Sequence, residues 1–184
     1  VDYQDLDSLR TQWYSDLDAI RDYTEAIRLN PDNDIAFANR GAAYFRLKRY
    51  EEAIRDCTEA IMLNSDNSEA FTSRGKAYFE LKRNEEALRD LNEAIRLNPE
   101  NAVVFLDCGI MFFKLKKYEE AMAAFNKGLK LDPDNEVIKH HKGDLCVSIK
   151  EEIKGWTEAI GLKPDNYHAF LNRGFLNSCL EKMD

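Results

Sequence analysis

The chain has 184 residues, 44% of them hydrophobic and 33% charged, and a net charge of −8. That balance describes a folded, water-soluble protein, and no apolar run approaches the ~20 residues of a membrane-spanning helix. With Lys and Arg scattered and outnumbered, it also argues against nucleic acid, whose phosphates draw binding from clustered positive charge. Position carries more information than composition does. Pro31, Ser65, Pro99 and Pro133 stand 34 residues apart, as do Gly41, Gly75, Gly109 and Gly143, and the interval shortens by three to Pro164 and Gly174. A unit of this length with two amphipathic stretches cannot bury its apolar face alone, so neighbouring units stack into a solenoid that offers a surface for binding.

Residues 1–33 read as a degenerate or partial unit. Tyr3, Leu6, Leu9 and Trp13 suit a short first helix, and Ser15 with Asp18 resembles a capping box opening a second. The leading VDYQDLDSLR is acidic where a secretory leader is basic and then apolar, and Val1 in place of Met fits a processed product or a piece of a larger protein. Cys57, Cys108, Cys146 and Cys179 follow neither a zinc pattern nor a disulfide framework, so a reducing cytoplasm is expected.

Full units are expected over 34–67, 68–101 and 102–135. In the first, Phe37, Tyr44 and Leu47 surround Gly41 at helical spacing, and Ala53, Ile54, Cys57, Ala60 and Ile61 do the same in a second stretch. Two antiparallel helices per unit follow. The next units repeat this with Phe71, Gly75, Tyr78, Ala87, Leu91 and Ala94, then with Phe105, Gly109, Phe112, Ala121, Phe125 and Gly128. Glycine inside a helix costs ~1 kcal/mol relative to alanine, so its recurrence at one slot marks where the paired helix crosses closely. The joints NPDN, NSDN, NPEN, DPDN and KPDN end one helix and offer a cap to the next. Arg40 occurs with Asp56 and Arg74 with Asp90, and both are lost together as Cys108 and Ala124, which predicts Arg to Asp bridges within a repeat unless the two units simply share ancestry.

The unit at 136–166 lacks the equivalents of Arg49, Tyr50 and one alanine. Leu145, Ile149, Ile153, Trp156 and Ile160 keep helical spacing across the gap, which suits one helix from about Glu136 to Leu162 as well as a hairpin with a shortened first helix. Residues 167–184 form a terminal helix, with Asn177 where Tyr44, Tyr78 and Phe112 stand. A fused helix is expected to swing that terminal helix away from the stack.

The order Phe37, Gly41, Tyr44, Ala53, Ala60 and a boundary proline closely resembles the tetratricopeptide repeat family. The resemblance runs unbroken over 34–135, extends upstream through DAIRDYTEAIRLNPDN, and continues in altered form to residue 184. It implies an all-α, right-handed superhelical solenoid of antiparallel helix pairs over 1–184, whose first helices line a concave groove for peptides or partner proteins. In that geometry the groove takes Ile35, Ala38, Asn39, Ala42, Phe45 and Arg46, then Glu69, Thr72, Ser73, Lys76, Phe79 and Glu80. The third unit adds Val103, Leu106, Asp107, Ile110, Phe113 and Lys114. The binding candidates are Asn39, Phe45, Lys76, Phe79, Leu106, Ile110, Phe113 and Lys114, although an aromatic stripe such as Phe45, Phe79 and Phe113 also serves packing. Co-chaperone members clamp a terminal carboxylate with Lys and Asn. Here those positions hold Ala38 and Ala42, Ser73, then Val103 and Asp107, or one unit later Thr72 and Lys76, Asp107, Val137 and His141, so a clamp is not expected.

His140, His141 and Asp144 do not make a closed metal site, and no catalytic constellation stands above the charge background. Cys57 shares its slot with Tyr23, Leu91, Phe125 and Trp156, which makes it core filler. The expected function is a non-enzymatic, cofactor-free adaptor for a peptide or partner segment, with no nucleic-acid or membrane partner. The alternatives are a regulatory or targeting module of a larger enzyme or assembly factor, and a self-assembling scaffold. A homodimer joined through residues 136–184 is expected if the shortened unit is one helix.

Overall fold

The computed structural model describes residues 3–181, with side chains from residue 14 onward. Every regular element among them is an α-helix, and the chain divides into two compact units, Val1–Glu100 and Asn101–Asp184.

The first unit holds α1 (Tyr3–Leu29), α2 (Asp34–Arg46), α3 (Tyr50–Leu63), α4 (Ser68–Glu80) and α5 (Asn84–Leu97). Helix starts are set by asparagine: Asn33 Oδ1 accepts from the Ala36 N–H and Asn67 Oδ1 from the Ala70 N–H, both at 3.0 Å. The bend inside each pair has a different device. Lys48 takes φ 60°, so the Arg49 N–H reaches back to Tyr44 O and the Lys48 N–H to Phe45 O, each at 2.9 Å. Lys82 repeats it in the next pair with φ 63°. This left-handed cap satisfies carbonyls at the end of the first helix, at a cost of ~1–2 kcal/mol for a residue other than glycine.

Once bent, α2 and α3 lie so close that a Cβ on Gly41 would stand 2.6 Å from Cys57 Sγ, and one on Gly75 3.1 Å from Leu91 Cγ. Ala53, Ala60, Ala87 and Ala94 are wholly buried alongside. The expected Arg to Asp bridges are present and bidentate. Arg40 Nε and Nη2 donate to Asp56 at 2.6 and 2.9 Å, and Arg74 to Asp90 at 2.7 and 2.9 Å. Each arginine also donates to a threonine of the preceding helix, Thr24 or Thr58, at 3.1 Å. These are not surface pairs, since the four side chains keep only 9–16% of their exposure.

One expectation fails in α1. The backbone runs as a single 27-residue helix through Ser15 and Asp18, so no capping box opens a second helix there. Tyr3, Leu6, Leu9 and Trp13 lie in this helix, but their side chains fall outside the described residues. Asp16, 3% exposed, instead pairs with Arg46 Nη2 at 2.7 Å and ties α1 to α2.

The second unit holds α6 (Ala102–Lys114), α7 (Tyr118–Leu131), α8 (Glu136–Leu162) and α9 (Tyr167–Glu181). The α6–α7 pair repeats the regular design: Lys116 has φ 57°, and a Cβ on Gly109 would run into the Phe125 ring. The shortened repeat is one continuous helix, α8. Lys150, the counterpart of Lys48, Lys82 and Lys116, is helical, because the three missing residues remove the bend and the start of the returning helix. At 1.5 Å per residue α8 is ~40 Å long. The terminal helix does not swing free. Leu176 and Cys179 of α9 join Tyr118, Met122, Leu145 and Ile149 in one core, so α9 folds back along α8 until it reaches the start of α7.

Candidate functional site

In the first unit, α2 and α4 present the predicted binding residues on neighbouring first helices. Phe45 is half-buried, its ring 5.6 Å from that of Tyr50, and the Lys76 ammonium lies 5.4 Å from its centroid. Phe45 therefore joins three helices: its own α2, the start of α3, and α4. Phe79 is buried, 8% exposed, with Lys82 Nζ 5.9 Å from its ring, so it is not an exposed anchor. Ala38, expected on the groove wall, belongs to the core with Cys57, Ala60 and Ala70. Asn39 remains half-buried and Ile35 is 63% exposed.

In the second unit, Leu106, Ile110 and Phe113 are half-buried along α6 and rest on the core built by Tyr118, Met122 and Ile138. Phe113 sits 6.4 Å from Tyr118, the same pairing as Phe45 with Tyr50. Val103 at the start of α6 is 54% exposed, and Lys114 at its end is exposed. The aromatic stripe thus fastens the bends, and the openly apolar positions at the first-helix starts are Ile35, Val103 and, one period later on α8, Val137.

Sequence reasoning missed a polar cluster where α7 meets α8. Tyr118 Oη donates to Glu152 Oε1 at 2.5 Å and Lys116 Nζ donates to the same oxygen at 2.8 Å. Burial, helped by that carboxylate, pushes the Tyr118 hydroxyl up to about 12. Burial works to raise the Glu152 carboxyl, yet the hydrogen bonds from Lys116 and Tyr118 hold it below its usual range. The signal was faint: Glu152 lies one full period after Tyr118, on the far side of the deletion.

The histidines are engaged locally. His141 stacks on Phe125, ring centroids 6.4 Å apart, while His140 Nε2 lies 3.5 Å from Asp144. Among the described residues no three His, Cys, Asp or Glu side chains converge. Burial pushes the thiols of Cys57 and Cys108 up to about 12, which removes them as nucleophiles. No described helix is long and apolar enough to cross a membrane.

No curated protein sequence matches the chain. It is similar to the solved first TPR of Spaghetti (RPAP3) bound to the HSP90 peptide SRMEEVD, at 28% identity over 64% of this chain and 93% of that one, TM-score 0.59. The second TPR domain of human RPAP3, in complex with the HSP70 peptide SGPTIEEVD, is 29% identical over 60% of this chain and 92% of its own, TM-score 0.55. MamA, 20% identical, shares the fold over 99% of this chain and 96% of its own, TM-score 0.62. Two family models match, one for the tetratricopeptide repeat over residues 35–67 and 102–135, the other for the TPR repeat over 18–48 and 75–116. Together they span more than half of the sequence, and with the helix pairs, glycine crossings and asparagine caps above, the chain belongs to the tetratricopeptide repeat family.

Proposed function

We propose that this protein is a non-enzymatic adaptor whose first-helix faces hold an extended or helical segment of another protein. The observation that carries the reading is the pair Ile35 and Val103, large apolar side chains left mostly exposed at one repeat slot. Around them, Asn39, Phe45 and Lys76 offer contacts in the first unit, over a floor formed by Phe79. Leu106, Ile110, Phe113 and Lys114 do so in the second. Packed helices hold these side chains in place before binding, so the ligand alone loses conformational freedom. The peptides in the two RPAP3 structures support a peptide as the class of partner. The repeat period passes residue 100 unshifted, which favours one array over residues 1–184. Four free cysteines suit a cytoplasmic location, and the acidic charge disfavours nucleic acid and membrane surfaces.

A homodimer joined through residues 136–184 belongs to the same reading. It is favoured by the apolar side chains left exposed there, among them Val147 at 57%, Leu162 at 89% and Phe175 at 52%.

The test is affinity for a segment recovered from native lysate and mapped to a peptide. Leu106→Ala with Phe113→Ala should weaken it by ~1–3 kcal/mol. Because both residues are half-buried, Val103→Asp, on an exposed side chain, is measured beside them; unchanged binding in both variants removes the groove. A peptide ending in Glu-Glu-Val-Asp should not bind specifically, since Val103 and Asp107 stand where the clamp needs cations. Carboxylate-dependent micromolar binding in low-salt calorimetry overturns that part.

A further inference from the structure

From Asp18 onward α1 reads DAIRDYTEAIRL, the sequence of a second helix, while α9 carries AFLNRG, the sequence of a first helix. Each packs along one neighbour, α1 on α2 and α9 on α8, as regular units do between repeats. The closer crossing inside a repeat is missing from both. In regular units that crossing sets Gly41 against Cys57, Gly75 against Leu91 and Gly109 against Phe125, and the three side chains are sealed from solvent. The glycine of α9 is Gly174, with nothing within 4 Å of its Cβ position. Tyr167, Phe170 and Leu171 share its face at 45–67% exposure, on the side of the helix opposite the buried Ala169, Leu176 and Cys179. In α1 the slot of Cys57 is taken by Tyr23. It is half-buried, as are Ala19 and Ala26, whereas their counterparts Ala53, Ala60, Ala87 and Ala94 are fully covered. The charges are divided in the same way. Arg173 lies 5.4 Å from the Phe170 ring centroid and 3.5 Å from Thr157, the stance that Arg40 takes over Phe37 beside Thr24 and Arg74 over Phe71 beside Thr58. Among the described residues no carboxylate completes its fork. Asp22 stands in the slot of Asp56 and Asp90, yet its side chain keeps 74% of its exposure against their 11% and 9%, beside its neighbour Arg21 at 3.5 Å.

We propose that α1 of a second copy of this chain supplies α9 with its missing second helix, the two lying antiparallel with Tyr23 over Gly174 and Asp22 forked onto Arg173. Phe125 over Gly109 shows that this crossing admits an aromatic ring. Burying the aspartate against the guanidinium completes a bridge whose other two members, Phe170 and Thr157, are already in place. Ser178 and Asp16 hold the slots of Phe45 and Tyr50, the pair that fastens a bend, and between separate chains there is no bend to fasten. The two surfaces differ and each copy carries one of each, so copies join head to tail in a series or a ring. This goes beyond the homodimer reading, in which residues 136–184 of one copy meet the same residues of the other.

Charge reversal tests this in the full chain, at two positions outside the hydrophobic core. Light scattering through the micromolar range should show the wild type associating, and Asp22→Arg or Arg173→Asp alone should return the mass to that of one chain at unchanged helical content. An equimolar mixture of the two variants should associate again, because every contact in an alternating series then joins opposite charges. Failure of the mixture to associate overturns the pairing of Arg173 with Asp22. Tyr23→Cys with Gly174→Cys, in a Cys146→Ser background, should oxidise to a ladder of covalent oligomers, since a Cβ at the glycine slot and a sulfur at its partner slot lie within bonding reach, as Gly41 and Cys57 show. A wild type that stays monomeric overturns this contact and the homodimer together. A dimer indifferent to both reversals and giving no ladder overturns the head-to-tail contact alone and leaves the homodimer reading standing.

Discussion

The pair α2–α3 and the single helix α8 are versions of the same unit, and they differ by three residues. In the first, Lys48 turns left-handed, Arg49 closes the cap, and Tyr50 meets Phe45 across the bend. In the second, Lys150 is helical and the counterparts of Arg49 and Tyr50 are absent. Everything downstream of the bend still has its partner side chains in the sequence, yet none of them folds back. The hydrophobic stripe does not choose between hairpin and rod, since it satisfies both; a few residues of turn chemistry choose, because without them the helix has no reason to surrender its backbone hydrogen bonds.

The largest expected effect comes from giving the bend back. Three residues inserted after Lys150 should split α8 into a hairpin, bringing spin labels at residues 139 and 160 from ~30 Å apart to close contact; a distance that stays long would show that the turn is not what separates the two forms. Next comes the bridge that α2–α3 has and α8 lacks. Asp56→Ala strands the Arg40 guanidinium in a largely buried site and should cost about 3 kcal/mol in chemical denaturation. A loss under 1 kcal/mol would make it an ordinary surface pair. The smallest effect is a difference in sign between glycines. Gly109→Ala drives a methyl into the Phe125 ring and should cost ~1–3 kcal/mol. Gly155→Ala, with nothing within 4 Å, should add ~0.5–1 kcal/mol through helix propensity. Equal shifts would mean that the crossing is looser than its geometry indicates.

The regular units were legible because each device recurs within the chain: the asparagine caps, the glycine crossings, and the Arg40–Asp56 and Arg74–Asp90 pairs could be read by aligning one unit on the next. The same comparison exposed the deletion and left α8 as one of two outcomes. Helix α1 was misread because this stretch departs from the repeat pattern, so aligning it on the later units does not show that Ser15 and Asp18 sit mid-helix. Asp16 takes its buried role only from the approach of Arg46 on α2, which spacing within α1 does not show. The candidate site was less legible still. Spacing places Phe45, Phe79 and Phe113 on one face, but whether a ring greets solvent depends on what stands across the bend, as Tyr50 does beside Phe45 and Tyr118 beside Phe113, a contact that periodicity does not encode.

The cysteines acquire a chemical consequence from their positions. A thiol held near 12 is ionised in only ~1 molecule in 10⁵ at neutral pH, and the thiolate is the species that reacts with peroxides, disulfides and alkylating agents. Cys57 and Cys108 are therefore silent toward oxidants for electrostatic as well as steric reasons, and Cys179 is shielded by burial. Cys146, half-buried on α8, is the thiol left within reach, so oxidative damage to the folded chain would fall on the one repeat whose hairpin is open.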